Sequence, residues 1–540
     1  MKNLTLFTLL VSFIFLFSFC GSEKKEAPKN EHLGELHFRY NGNEAAMPHF
    51  AKGLKLLHNF EYDDACTEFK KAEELDPHFV MAHWGEAMTY NHPLWRQQDY
   101  EKGMAALGKL ADTQEERSAL AKTDLERDFL RCTEIMYGPD GTKKERDSMY
   151  SKQLERMYGK YAGNEEVAAF YALSLLGAVK VGRNTAAYEK GAKVAEGILK
   201  DNIHHPGALH YLIHSFDDPG HAPKALPAAL SYSKVAADAT HALHMPSHIF
   251  VAVGMWDEVV KSNIASWGAS HKKALETDAK NFGSYHALHW LMYGLLQKGR
   301  FKEAQQLVSD MQQYATEKPG RSPNGYLIAM RANYLVETGE WDGDIAGIAC
   351  EPNDPGIGAK YYFTEGMRAY VQKDKNKLEN IIQQLKEKKE TAIKFVTDEG
   401  VPMCSTSGAR RGIPNQLDID QAEVMEYELK GLWAELKGDK KMADGFYAQA
   451  TDMESNINFS SGPPSIVYPS FELYGDFLLK NGNAEKAAAQ YDKALQKGPK
   501  RRRALMGRLE AAKLLKDENK ITELENILAE VLDNKKGEAL

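Results

Sequence analysis

The chain repeats itself at a spacing of 34 residues. Gly207-Ala208-Leu209-His210 is followed 34 positions later by His241-Ala242-Leu243-His244, and a third version, His286-Ala287-Leu288-His289, ends 45 positions after that. His49 and His83 also stand 34 apart, as do His58 and His92. A fixed period in this range marks a repeat architecture, because one such unit cannot bury its apolar face alone and gains a core by stacking on its neighbours. An array of that kind grows without limit, so the 540 residues need not divide into domains of ordinary size.

Apolar-periodic runs are separated by short breaks at Phe60-Glu61-Tyr62-Asp63, Gly254-Met255-Trp256-Asp257, Lys298-Gly299-Arg300-Phe301 and Asn481-Gly482-Asn483, which read as helix-turn-helix corners. Ala65, Phe69, Ala72 and Pro77, with Gly53 one helix earlier, place small residues where paired helices approach closely. Ala487, Tyr491, Ala494 and Pro499 with Gly475 do the same, and Ala443, Tyr447 and Ala450 with Gly431 more loosely. This Ala-x3-aromatic pattern at a 34-residue period resembles the tetratricopeptide repeat (TPR). The resemblance implies an all-α fold, an α-solenoid of TPR-like helix-turn-helix repeats. The expected organisation is an N-terminal array over 36–342, an irregular helical segment over 343–420 and a C-terminal array over 421–540. Long loops are expected at 343–360, 398–418 and 456–470, the second containing Arg410 and Arg411, and one of them could cover a groove.

Residues 1–19, with Lys2 followed by a continuous apolar stretch from Leu4 to Phe19, read as an export signal, too short for a membrane span. Cys20-Gly21-Ser22 resembles the cleavage site of bacterial lipoproteins. That resemblance implies lipidation of Cys20, a flexible tether over 20–35, and an exported, membrane-anchored protein facing the periplasm or the cell surface. The net charge of −8 carries no basic footprint, which argues against a nucleic-acid partner. The one basic run, Lys500-Arg501-Arg502-Arg503, reads as a solvated helix start. Cys350 and Cys404 lie in loops and could pair in an oxidising compartment. No GxSxG, GxxxxGK[ST], HExxH or GxGxxG motif is present, so no nucleotide cofactor is expected.

His210, His214 and Asp217 stand at i, i+4 and i+7 and therefore form one polar stripe on a helix. In TPR proteins the first helix of each pair lines a concave groove. The resemblance thus directs His210, His214 and Asp217 of one repeat, His241, His244 and His248 of the next, and His286, His289 and Tyr293 of a third into that groove. Imidazoles about 6 Å apart along a helix can chelate one ion. Two such pairs on adjacent helices would supply four nitrogens, with Asp217 or Asp218 as a carboxylate ligand or an orienter. A nitrogen-rich set suits zinc, copper, iron or nickel. Pro246 falls between His244 and His248, so a helix starts or kinks there. Helix-start histidines can also cap or hydrogen-bond; three copies of Ala-Leu-His in one register favour a shared site.

His83-Trp84-Gly85-Glu86-Ala87-Met88 with Asn91-His92-Pro93-Leu94-Trp95, the run His241 to Phe250, and residues 462 to 475 resemble a group of exported bacterial TPR proteins, which implies architecture rather than a reaction. Three functions remain open from the residues. The first is a membrane-tethered module whose groove holds a transition metal or a metal-dependent ligand. The second is a metal-dependent enzyme in which Asp217, Asp218, Tyr211 or Tyr293 assists proton transfer. The third is a metal-free scaffold that binds a protein or small molecule.

Overall fold

The computed structural model describes residues 31–39, 41–179, 182–277, 283–352, 355–396, 414–457 and 462–532. The export signal, Cys20, most of the tether, Cys404, Arg410 and Arg411 lie outside the described residues. His32–Leu540 form one unit, and among the described residues it is all-α apart from a two-residue antiparallel ladder, Asn91–His92 against Gln97–Gln98. No helix among the described residues is long and apolar enough to cross a membrane.

Successive helices pack as antiparallel pairs. Met47–His58 lies on Tyr62–Leu75, Glu165–Gly177 on Thr185–Leu199, Tyr285–Gln297 on Phe301–Glu317, Gln416–Leu436 on Lys440–Asn456, and Ser470–Lys480 on Ala484–Lys497. The aromatic residue of the repeat pattern explains the spacing. Phe69 is fully buried between Gly53 of the preceding helix and Gly85 of the following one, and a Cβ at either glycine would overlap its ring. Tyr491 is wedged in the same way between Gly475 and Gly507. Each such buried ring contributes roughly 1.5–3 kcal/mol, and the glycines let the helices close on it. The irregular charged stretch is helical because Thr113, Thr123 and Thr142 each open a helix with a capping box, closed by Glu116, Glu126 and Glu145.

The left-handed conformation recurs at the corners between paired helices, and at one of them a bulky aromatic residue adopts it. Gly254, Gly299 and Gly482 take the left-handed conformation there, with φ of 73°, 72° and 77°, and Phe60 takes it with φ 58°. A bulky residue in that region costs on the order of 1 kcal/mol, so tertiary packing holds Phe60 in place. What it packs against is the histidine site.

Three expectations are revised. The Lys500–Arg503 run is not a solvated helix start. Arg501 and Arg502 are buried, and Arg501 pairs with Glu472 at 2.7 Å and Glu337 at 3.1 Å, because the helices Arg502–Leu515 and Glu518–Leu532 fold back onto the corner at Trp256 and Gln297. Trp256 Nε1 donates to the Lys500 carbonyl, and Arg502 N donates to Gln297 Oε1. One apolar core accordingly joins residues from Leu33 to Val259 with Leu505 to Val531, while a second runs from Val260 to Tyr491. The tether is not loose as far as residue 35: Leu33 is buried and its carbonyl accepts from Asn59, while Glu35 N donates to the His204 carbonyl. The segment from Gly343 to Lys360 holds a short 3-10 turn, Asp344–Gly347, and the start of the helix Pro355–Val371. Cys350 has a free thiol, and its expected partner Cys404 is outside the described residues.

Candidate functional site

Six of the expected histidines meet in the interior. His210 and His214 lie on the helix Pro206–Ser215, His241 and His244 on Thr240–His244, His248 on Pro246–Val253 and His286 on Tyr285–Gln297. The second repeat's first helix does break at Pro246, into two short helices that meet at Met245. His244 and His248 nevertheless stay together, with ring centroids 5.2 Å apart, and His210 and His214 are 4.9 Å apart. All six are buried, so the stripe belongs to the packed core and not to an open groove. The reason is the apolar cover. The Phe60 ring stands 4.3 Å from His210 and 5.5 Å from His241, and Trp95 lies edge-on to His241. Trp290 stacks on His248 at 4.7 Å and lies edge-on to His244 at 4.8 Å. Gly462 in turn presses on Trp290, where a Cβ would overlap the indole. Gly462 belongs to one of the three loops of which one could cover a groove, and it packs on the tryptophan that covers the histidines.

Nitrogens approach each other in two places. His210 Nε2 is 3.2 Å from His241 Nε2, and His244 Nε2 is 3.0 Å from His286 Nε2. His210, His214 and His241 form one group whose ligand atoms all lie within 4.8 Å of one another; His244, His248 and His286 form a second, and His214, Asp217 and His248 a third.

The protons on these rings can be placed from their partners. His210 Nδ1 is 2.8 Å from the His58 carbonyl, which can only accept, so Nδ1 carries the proton and Nε2 presents its lone pair. Asn263 donates its amide to the Val259 carbonyl, which turns its Oδ1 to His244 Nδ1 at 2.7 Å and fixes the same tautomer there. Asp217 Oδ2 accepts from His248 Nδ1 at 3.3 Å, while its Oδ1 accepts from Arg183 at 2.8 Å. A carbonyl, an amide and a carboxylate thus orient three rings in the way that outer partners orient metal-binding histidines. His241 is placed by Glu61, which accepts from its backbone N–H and from the Thr240 hydroxyl.

His214 differs from the rest. It is fully buried, and neither ring nitrogen has a hydrogen-bond partner; Asp217 Oδ2 stands 3.7 Å from Nδ1. A buried imidazole left in that condition costs on the order of 1–3 kcal/mol. Burial pushes the pKa of His210, His241 and His286 far below the usual histidine value, with the neighbouring imidazoles adding to it, and takes His244 to about 3. Burial would raise Asp217, but the adjacent imidazoles of His214 and His248 and the charge of Arg183 outweigh it and hold the carboxyl far down. At neutral pH His210, His214, His241, His244 and His286 are therefore neutral and Asp217 is a carboxylate, the forms that ligate metal.

The remaining predicted residues point elsewhere. His289 lies outside the groups, with Nε2 2.8 Å from Asn333 Oδ1. Asp218 pairs with Arg183 and His221, both at 2.9 Å. The Tyr211 hydroxyl meets His58 Nδ1 at 2.9 Å, and Tyr293 bonds Arg501, so both tyrosines turn away from the six histidines because buried partners on other helices claim their hydroxyls.

The sequence reading did not anticipate a further cluster. His58 Nε2 is 2.8 Å from Glu166 Oε2, and His205 Nε2 is 3.4 Å from Glu166 Oε1, all three residues being buried. Burial would raise Glu166, but the two histidines outweigh it and bring it down to about 2. Glu166 and His205 had no repeat echo to reveal them. Arg183 did have a signal, standing one 34-residue period before Asp217.

No protein-family model matches the chain, and no curated protein sequence matches it. Among solved structures it is similar to the APC/C hetero-tetramer Cut9-Hcn1, at 11% identity over 92% of this chain and 79% of that one, with a TM-score of 0.35. It is also similar to the human IFIT1 dimer with PPP-AAAA (10% identity, 93% and 99% covered, TM-score 0.33) and to yeast Tom70 (13%, 91% and 92%, TM-score 0.26). At those scores the likeness adds nothing to the helix pairing already described, and this chain's function has to be read from its own side chains.

Proposed function

We propose that this protein is a TPR-like binding module whose core histidines hold a transition metal. The observation that carries the reading is His214: an imidazole with no exposed surface and no hydrogen-bond partner at either nitrogen, set among neighbours whose Nε2 lone pairs are aimed inward. A bound ion would supply the missing partner and turn a destabilising group into a ligand. His210, His214, His241, His244, His248 and His286 are the proposed ligands, with Asp217 as orienter or ligand, and the nitrogen-rich set fits zinc, copper, iron or nickel. The aromatic cover favours holding an ion over turning over a substrate. In this reading the export signal and Cys20 place the module on a membrane surface, and the array carries a protein or small-molecule partner.

Metal analysis of the purified protein tests the reading. First-row metal is expected in the wild type and in His49→Ala, whose ring is engaged by Glu68 at 2.6 Å, and its content is expected to fall in His210→Ala and His244→Ala. A wild type that takes up no first-row metal at neutral pH sinks it and leaves a metal-free scaffold.

A further inference from the structure

The six imidazoles fall into two sets that share no residue, His210, His214 and His241 on one side and His244, His248 and His286 on the other. Each set contains its own close Nε2 pair, at 3.2 Å and 3.0 Å. An ion bonded at about 2.0–2.1 Å to two imidazoles spaces their nitrogens about 3.3–3.6 Å apart across tetrahedral to trigonal angles, so each pair, which stands at hydrogen-bond distance, would open by roughly 0.1–0.6 Å to take one. A third imidazole completes each set, and the sets adjoin, with the rings of His214 and His248 5.7 Å apart and those of His241 and His244 6.4 Å apart.

Charge then limits which ions can occupy them. An imidazole that ligates a metal is neutral, and the two carboxylates beside the rings are already engaged: Asp217 pairs with Arg183, which also pairs with Asp218, and Glu61 accepts from the His241 backbone N–H and lies 3.6 Å from Lys273. Two divalent ions would bring four positive charges into a buried space where Phe60, Trp95 and Trp290 offer no compensating group, and uncompensated buried charge is strongly disfavoured. Zinc would also need a fourth ligand for its tetrahedral preference. Monovalent copper is stable with three nitrogen ligands and carries half the charge. Resting on the metal-binding reading above, we infer that the site holds two copper(I) ions, one in each histidine triad.

The test loads the full chain anaerobically with copper(I) against a competing cuprous chelator, with zinc(II) loaded in parallel, and counts metal per chain. The expected result is two coppers per chain, silent in electron paramagnetic resonance, falling to one in His210→Ala and in His286→Ala. X-ray absorption on the wild type needs no variant, and three nitrogen neighbours per copper are expected. Sulfur neighbours would place the copper on the free cysteines and overturn the inference. One copper per chain, or two zinc ions held as firmly as copper, overturns it while leaving the metal reading intact. A chain that takes up no metal of any kind overturns both.

Discussion

Two histidine clusters lie side by side in this protein, similar in the distances between their side-chain atoms and opposite in where their protons sit. In the six-histidine site, oxygen acceptors hold the Nδ1–H groups of His210, His244 and His248, so the Nε2 lone pairs face inward. In the second cluster the Ala208 N–H donates to His205 Nδ1 and Tyr211 stands at His58 Nδ1, so both Nε2–H groups point at Glu166. The first cluster is arranged to receive a cation, whereas the second already contains its counter-charge. His58 belongs to both, its ring serving Glu166 and its backbone carbonyl serving His210. Proximity of ligand atoms therefore does not identify a metal site; the acceptors around the outer nitrogens do.

The comparison is broken most forcefully at Glu166. Glu166→Ala removes the buried carboxylate that His58 Nε2 bonds and that stands 3.4 Å from His205 Nε2, and it is expected to cost about 3–5 kcal/mol in denaturant unfolding, with metal content of the folded protein unchanged. Loss of metal in that variant would mean that the two clusters act as one. The same carboxylate predicts an acid limb. Its pKa, lowered to about 2 from 4.5, contributes stability that is complete above pH 4.5 and is lost as pH falls towards 2, by about 3 kcal/mol. Urea titrations of Glu166→Gln between those pH values should lack that slope, and an unchanged slope would show that Glu166 does not supply it.

Asn263 sharpens the other half. Asn263→Leu frees the His244 ring without touching Glu166, and it should weaken metal affinity by about 10–100-fold while leaving helix content by circular dichroism as it was. Wild-type affinity in this variant would show that the tautomer is set by something else. The smallest effect is expected at Phe60, the ring over His210 and His241. Phe60→Gly should be less destabilising than Phe60→Ala by about 1 kcal/mol, because glycine takes the left-handed corner without strain. Equal losses in thermal unfolding would refute the strain argument.

Much of the scaffold was legible beforehand. The 34-residue echoes, the Ala-x3-aromatic marks and the glycine corners are local patterns, and local patterns survive in a linear string. Six of the proposed ligands were legible for the same reason, since a repeat copies a side chain into equivalent slots. The pairing was not. Slots one period apart suggested His210 with His244, whereas the close contacts are His210 with His241 and His244 with His286, because the break at Pro246 and the tilt of each helix decide which rings meet. The basic run was misread for a related reason: nothing near it in sequence announces that Glu337 and Glu472 will reach it.

The amino-acid order alone determined an all-helical repeat array and which helices carry imidazoles, because periodicity and turn chemistry act over a few residues. Tertiary structure alone decided that those imidazoles are enclosed, that Phe60, Trp95 and Trp290 cover them, and that His58, Asn263 and Asp217 orient them. Those decisions depend on groups brought together from distant helices, and a ring's tautomer is set by the atom that happens to lie opposite it.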